Sequence, residues 1–330
     1  MSNSSTLPLS SVEAIQGKFQ DKDIVSLDQF AVEDLYIVFN LALKMKQLVL
    51  NSEPSQILAG KIVSLLFFEP SSRTFGSFAS AIKRLGGQTI DIQNPETVTS
   101  VSKGETFEDT IRVFEAYSDA LVLRHPHAGA ARAAANAAQF VPVVNAGDGN
   151  NEHPTQALLD LYTIYERFGR LDHLNGLLVG DALNSRTIHS LMRGLALFPH
   201  NRLTILAPAT LRLTQDDLVS FSSRGIELAE IASTKEIPED CNFWYWTRLQ
   251  KERFSSPEEY QELVAGKFVA TPELLARYAS KETILMDPLP RVGTIDPALD
   301  ADERAVYLRA QIRNGLYIRM AVLALITGRA

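Results

Sequence analysis

A chain of 330 residues, 45% apolar and 22% charged, is long enough for two globular domains and has the make-up of an ordinary folded protein, which excludes a disordered or fibrous one. Its formal charge of −7 gives no basic footprint for nucleic acid, so any anion site must be a local gathering of cations on an acidic surface. The lone cysteine, Cys241, excludes an intrachain disulfide framework and reads as a small buried apolar residue, and no run approaches the roughly 20 apolar residues of a membrane span.

The opening residues MSNSSTLPLSS lack the basic start and apolar stretch of a secretory signal, which makes the cytoplasm the expected compartment. Short β-rich runs then alternate with longer helical patterns, the arrangement expected of βαβ units and parallel sheets. The predicted strands are KIVSLLFF, QTIDI, DALVLR, VPVVNA, NGLLVGD, RLTILA, IELAEI, NFWYW and ETILM. Stretches such as Glu105 to Tyr117 and Thr155 to Arg167 carry apolar residues at helical spacing, and the tail from Ala305 to Ile326 reads as a long terminal helix. No CxxC pair or HExxH helix offers ligands, so no metal is expected.

The first polar cluster is FFEPSSRTF, where a strand ends and a helix begins. A helix start carries unpaired N–H groups and a partial positive charge, which suits phosphate. Ser71, Ser72 and Thr74 add hydroxyls and Arg73 a planar fork; taken alone, the same four residues also fit a serine cap beside a surface arginine. A weaker echo, LLVGDALNSRTIHSL, repeats the order strand, polar turn, SRT, helix in the second half. Two such cradles suit two anionic reactants. Between them, VLRHPHAGAAR sets Arg124 and His125 directly after a strand, where open α/β sheets bind ligands. NAGDGNNEHPTQALLDL then brings His153 and Gln156 to the start of an amphipathic helix. In WYWTRLQKERF, the residues Arg248, Gln250, Lys251 and Arg253 fit either a solvated surface or carboxylate capture. MDPLPRVGTID ends a strand in two prolines, which frees backbone carbonyls to accept hydrogen bonds.

The ordered series FFEPSSRT, SVSKGE, RHP, HPTQALLD, SRT, TRLQKER and DPLPR, closing in NGLYIRMAVLALI, resembles the catalytic chains of the aspartate carbamoyltransferase family from about Ile24 to the C-terminus. The resemblance implies an α/β fold of two doubly wound domains, each a mostly parallel sheet flanked by helices, with the active site in the cleft between them. It implies a carbamoyl phosphate-binding domain over residues 1–152 plus the helix at about 305–330, and an aspartate-binding domain over 153–304. The implied activity is transfer of the carbamoyl group of carbamoyl phosphate to L-aspartate, early in pyrimidine synthesis, without cofactor or metal.

Carried over residue by residue, the resemblance gives the phosphate to Ser71, Ser72, Arg73 and Thr74, with serine at 72 where threonine is more usual. Thr74, Arg124 and His153 polarise the carbonyl, while Gln156 and the main chain at Pro288 and Leu289 hold the carbamoyl amino group. Arg186, Arg248 and Gln250 clamp the dicarboxylate. Lys103 of SVSKGE, with Thr99 four residues before it, enters a neighbouring subunit's site, so a homotrimer with shared sites is implied. Glu69 and Arg253 match positions that pair across the closed cleft. Ornithine carbamoyltransferases share the phosphate half but carry HCLP late in the chain; here the sequence is DPLP. A sister transcarbamylase acting on another amine, or a silent homologue that binds an anionic metabolite, remain the alternatives, and a regulatory chain or dihydroorotase remains an open partner. One departure is Asp287 where the family commonly has histidine. A carboxylate there is expected to weaken anion binding unless an arginine such as Arg291 pairs with it.

Overall fold

The computed structural model describes residues 13–94, 104–249, 256 and 268–330. Among the described residues, nine strands form two sheets: β1 (Ile62–Phe67), β2 (Gln88–Gln93), β3 (Ala120–His125) and β4 (Val143–Asp148) in the order β2-β1-β3-β4, and β5 (Asn175–Val179), β6 (Arg202–Leu206), β7 (Glu227–Ile231), β8 (Phe243–Trp246) and β9 (Ile284–Met286) in the order β7-β6-β5-β8-β9. Every pairing is parallel. Six of the nine runs read from the sequence contain their strand whole; β2, β3 and β4 continue past theirs to Gln93, His125 and Asp148, so Arg124 and His125 close β3 rather than follow it. All six residues of the central strand β3 are buried, whereas the edge strands β2 and β7 are partly exposed; the other edge of the first sheet, β4, is buried along its length and bridged by Ile24 at Val144. Continuous apolar runs inside are what a parallel sheet covered on both faces requires.

The helices are α1 (Val32–Leu50), α2 (Ser72–Arg84), α3 (Phe107–Glu115), α4 (Ala130–Ala137), α5 (Pro154–Phe168), α6 (Arg186–Leu195), α7 (Gln215–Ser223), α8 (Pro272–Tyr278) and α9 (Ile312–Ile326). The helix expected over the C-terminal tail begins as a wider π-type turn at Tyr307–Gln311 before becoming α9. Helix α5 opens with Pro154, whose missing N–H costs nothing in a first turn, and closes on Gly169 at φ 68°. It packs on β4 and α9 to one side and on α6 to the other, while α9 also packs on α1 and α2. One apolar core therefore runs from α1 and the first sheet, through Leu158 and Leu161 of α5, to Leu178, Leu203 and Phe243 of the second. Cys241 lies in the apolar cluster on the other face of the second sheet, and burial pushes its thiol up to about 12, as suits an inert packing residue.

Candidate active site

In an open parallel sheet a ligand sits beyond the carboxyl ends of the strands, where the strand order reverses. In the first sheet the reversal falls between β1 and β3, and Phe67 pairs there with Arg124. In the second it falls between β5 and β8, where Val179 pairs with Trp246. The chain leaves these four strand ends through Glu69 to Thr74, Arg124 to Pro126, Asn184 to Thr187, and Thr247 to Arg248, and residues from all four segments line one cavity of about 900 Å³.

The first wall is the start of α2. Ser71 is its N-cap, with extended backbone (φ −158°), and its side chain makes no cap hydrogen bond, so both the hydroxyl and the first-turn N–H groups are left for a ligand. Arg73, Thr74 and Ser77 line the cavity beside it. Ser72 has an exposed side chain outside the lining and supplies only its place in the first turn. The SRT echo is a second helix start at a second reversal, with a difference: Ser185 spends its side chain accepting from Ile188 N at 3.4 Å. Its working group is therefore Arg186.

Glu69 joins the halves, with Oε2 lying 2.6 Å from Nη2 of Arg124 and 3.5 Å from Nη2 of Arg186. Arg253, the partner expected for Glu69, lies outside the described residues, as do Thr99, Lys103, Gln250 and Lys251. Arg124 also donates from Nη1 to the Ala146 carbonyl at 3.2 Å. Burial and the charge of Arg186 lower its pKa to about 10, which leaves it charged at neutral pH. The two guanidinium groups can approach because position 147 is glycine: a Cβ there would lie 2.9 Å from Arg124 Nη1 and 3.3 Å from Arg186 Cζ, at a φ of +115°. Next to them stands His153, the N-cap of α5, with a buried Nδ1 that has no hydrogen-bond partner. Burial, then Arg186 and Arg124, hold this imidazole well below its usual range. It is neutral at pH 7 and offers one N–H.

The far wall is a polar frame. Gln156 donates from Nε2 to both oxygens of Asp160, at 3.0 and 3.2 Å. Asp160 also accepts from Tyr245 OH at 2.8 Å and Gln311 Nε2 at 2.7 Å. Burial lifts its carboxyl to about 7, against the pull of Gln311, Tyr245 and Gln156. Gln311 in turn accepts the Asp287 N–H at 3.0 Å, which anchors the turn carrying Pro288 and Leu289 into the cavity wall. Asp287 does not pair with Arg291, which binds Asp300 and Tyr307 instead. Its carboxylate accepts from Leu289 N at 2.5 Å and Thr294 Oγ1 at 3.4 Å, so the side chain folds back on its own turn. Burial pushes it up to about 7.

Of the residues picked out from the sequence, Ser71, Arg73, Thr74, Arg124, His153, Gln156, Arg186, Arg248, Pro288 and Leu289 meet in this cavity. Sequence reasoning missed Asp160, Gln311 and Arg319. The last is a buried arginine on α9 that lines the cavity, donates to Ser77 Oγ at 2.9 Å and lies over the Phe78 ring. Asp160 and Arg319 carried one signal, a single charge inside an apolar helical run. Among the described residues no group of His, Cys, Asp or Glu suits a metal ion.

Residues 22–166 match the family model described as the aspartate/ornithine carbamoyltransferase carbamoyl-P binding domain, and residues 172–326 match the Asp/Orn binding domain of the same family. The chain is 44% identical over 309 residues to the chloroplastic aspartate carbamoyltransferase of Arabidopsis thaliana, covering 94% of this chain and 78% of that one. It is 41% identical to the aspartate carbamoyltransferase catalytic subunit of Methanocaldococcus jannaschii, with 92% and 96% covered. A crystal structure of the Trypanosoma cruzi aspartate transcarbamoylase in complex with carbamoyl phosphate and aspartate superposes with a TM-score of 0.86 at 36% identity, over 96% of this chain and 99% of that one.

Proposed function

From the premise that this chain belongs to the aspartate/ornithine carbamoyltransferase family, we propose that it transfers the carbamoyl group of carbamoyl phosphate to the amino group of L-aspartate, giving N-carbamoyl-L-aspartate and phosphate, an early step of pyrimidine synthesis. The observation that carries the choice of amine is the second reversal point, which turns two arginines, Arg186 and Arg248, into the cavity opposite the phosphate cradle. Its only lining carboxylates, among the described residues, are Glu69 and Asp287, and both are already engaged. A dicarboxylate finds two cations there, whereas the side-chain ammonium of ornithine finds no open anion.

Carbamoyl phosphate is a mixed anhydride, so the protein's work is positioning and charge stabilisation. Phosphate is held by Ser71, Ser72, Arg73 and Thr74 at the start of α2, and by Lys103. Arg124, His153 and Thr74 donate to the carbonyl oxygen as it gains charge. Gln156 and the carbonyls of Pro288 and Leu289 accept from the carbamoyl amino group. Arg186, Arg248 and Gln250 hold the carboxylates of aspartate, whose neutral amine attacks the carbonyl carbon. The carbon–oxygen bond to phosphate then breaks, and the departing phosphate accepts the amine proton.

Lys103 acts in a neighbouring subunit's site, within a homotrimer. Two exposed aromatic side chains, Phe140 (82%) and Tyr117 (59%), support such a contact. We divide the chain into a carbamoyl phosphate domain, 1–152 with about 305–330, and an aspartate domain, 153–304; the return of α9 to α1 and α2 supports that division. The cytoplasm is the proposed compartment, in keeping with a single, buried cysteine. Incubation with carbamoyl phosphate and either aspartate or ornithine tests the reading. Carbamoylated product is expected with aspartate alone, and product with ornithine alone overturns it.

A further inference from the structure

The mechanism gives the buried Asp160 no task. Asp160 is fully buried on α5 and is not itself part of the cavity lining, yet three side chains converge on it: Gln156 and Gln311, which both line the cavity, and Tyr245 from the second sheet. A carboxylate provides acceptors and no N–H donors. Each neighbour must therefore turn a donor toward it. For Gln156 this fixes the amide: Nε2 is spent on Asp160, so Oε1 is the end left to face the ligand. For Gln311 the same demand turns Oε1 toward the Asp287 N–H, which tethers the turn bearing the Pro288 and Leu289 carbonyls. The acceptors ranged along this wall thus depend on one carboxylate behind it.

We infer that Asp160 is a positioning residue that makes this wall of the cavity an acceptor surface, and so selects a ligand carrying an amide-type NH2 group beside its phosphate. This rests on the carbamoyl phosphate reading and adds to it the source of the selectivity for the carbamoyl end. Replacing the carboxylate by an amide changes the outcome in a specific way. In Asp160→Asn, three donors compete for one remaining acceptor, and the new Nδ2 needs an acceptor of its own. The cheapest relief is rotation of Gln156, which is half-buried and free at its cavity end. That rotation sets an N–H donor against the ligand's own N–H donors, a mismatch that a site built to hydrogen-bond does not tolerate.

The test measures two ligands by calorimetry on the full-length protein: phosphonoacetamide, a stable phosphonate with a carboxamide in place of the carbamoyl group, and inorganic phosphate. Asp160→Asn is expected to weaken phosphonoacetamide by about tenfold or more, the worth of one buried hydrogen bond turned unfavourable. Phosphate, held at the α2 start away from Gln156, is expected to change by less than about twofold. Adding Gln156→Ala to Asp160→Asn should cost little more than Gln156→Ala alone, because the two act through one group. Equal weakening of both ligands, which is what a purely structural role predicts, overturns the inference, as does no change in either.

Should Asp160→Asn fail to fold, Gln311→Ala leaves the carboxylate in place and frees the 287–289 turn. The same selective loss is expected, and a parallel loss or none overturns the inference. A wild-type protein that binds phosphate and not phosphonoacetamide would refute the carbamoyl reading itself, a failure visible before any variant is made.

Discussion

Asp287→Asn tests how an acid is tolerated at the position where histidine is common in the resembling family. The Asp287 carboxyl is buried, and burial outweighs the hydrogen bonds from Leu289 and Thr294, raising its pKa from 3.8 to about 7. A raised pKa means the folded chain prefers the protonated group. The stability linked to it is fully present below about pH 4 and is lost as pH rises toward 7. Between pH 5 and pH 8 about two pKa units of that loss are crossed, equivalent to about 3 kcal/mol. With an unfolding entropy of roughly 2 cal/mol/K per residue, this is about 4 °C in Tm for a chain of this size. Asparagine keeps an acceptor for Leu289 N and carries no charge, so the variant should lack this component. Asp160, raised to about 7, and Asp23, raised to about 6, destabilise in the same direction in both proteins, so only the difference between the two melting temperatures is informative. Thermal scans at pH 5 and pH 8, at equal protein concentration, should show the wild type falling about 4 °C further than Asp287→Asn. Equal falls would refute the buried-acid argument and mean that the side chain is neutralised or solvated in some other way.

Removing the proposed oxyanion donor with Arg124→Met should lower kcat by about a hundredfold or more, read in initial-rate assays at saturating substrates. Because burial and two arginines hold His153 neutral, the acid limb of the kcat–pH profile should keep the same midpoint in His153→Asn, although kcat falls; a limb that disappears in the variant would contradict the low imidazole pKa. Arg248→Leu should raise the KM for aspartate roughly thirtyfold, the scale of a charge-assisted hydrogen bond, while phosphate binding measured by calorimetry stays unchanged. Lys103→Ala and Arg73→Ala should each be nearly inactive alone, and mixed after reversible dissociation should regain about a quarter of wild-type activity, as random assembly of sites shared by two subunits requires. No recovery would place each site within one subunit.

The sheets were legible because parallel strands buried on both faces leave largely apolar runs, and each of the nine runs overlaps a strand, six of them containing it whole. The order of those strands was not legible, since it depends on which edge each crossover chooses. Ser71 to Thr74, Arg124 and His153 could be found because each lies at the end of a strand or the start of a helix. Asp160 and Arg319 were hidden in runs that read as core: LLDLY and YIRMA differ from a packing face by one residue each. Their importance comes from what crosses the chain to meet them, Gln311 across 151 positions and Ser77 across 242, and local patterning carries no record of that. The pairing of Asp287 with Arg291 failed for a related reason. Arg291 is near in sequence, but Asp300 and Tyr307 offer it a carboxylate and a ring together.

The cavity holds Arg73, Arg124, Arg186, Arg248, Arg313 and Arg319 in a chain whose net charge is −7. Such a concentration opposes its own folding unless anions are near, and among the described residues Glu69 and Asp287 in the lining and Asp160 behind it meet that need. Glu69 is placed between Arg124 and Arg186, close enough to relieve their repulsion in the empty site, and Asp160 lies behind the wall, where it offsets the buried Arg319. Burial, reinforced by the charges of Arg186, Arg124 and Arg319, keeps His153 uncharged in this cavity. A protonated imidazole there would add repulsion without adding a second useful donor at the carbonyl. A neutral one gives a single N–H to a developing oxyanion, and the surrounding guanidinium groups supply the charge.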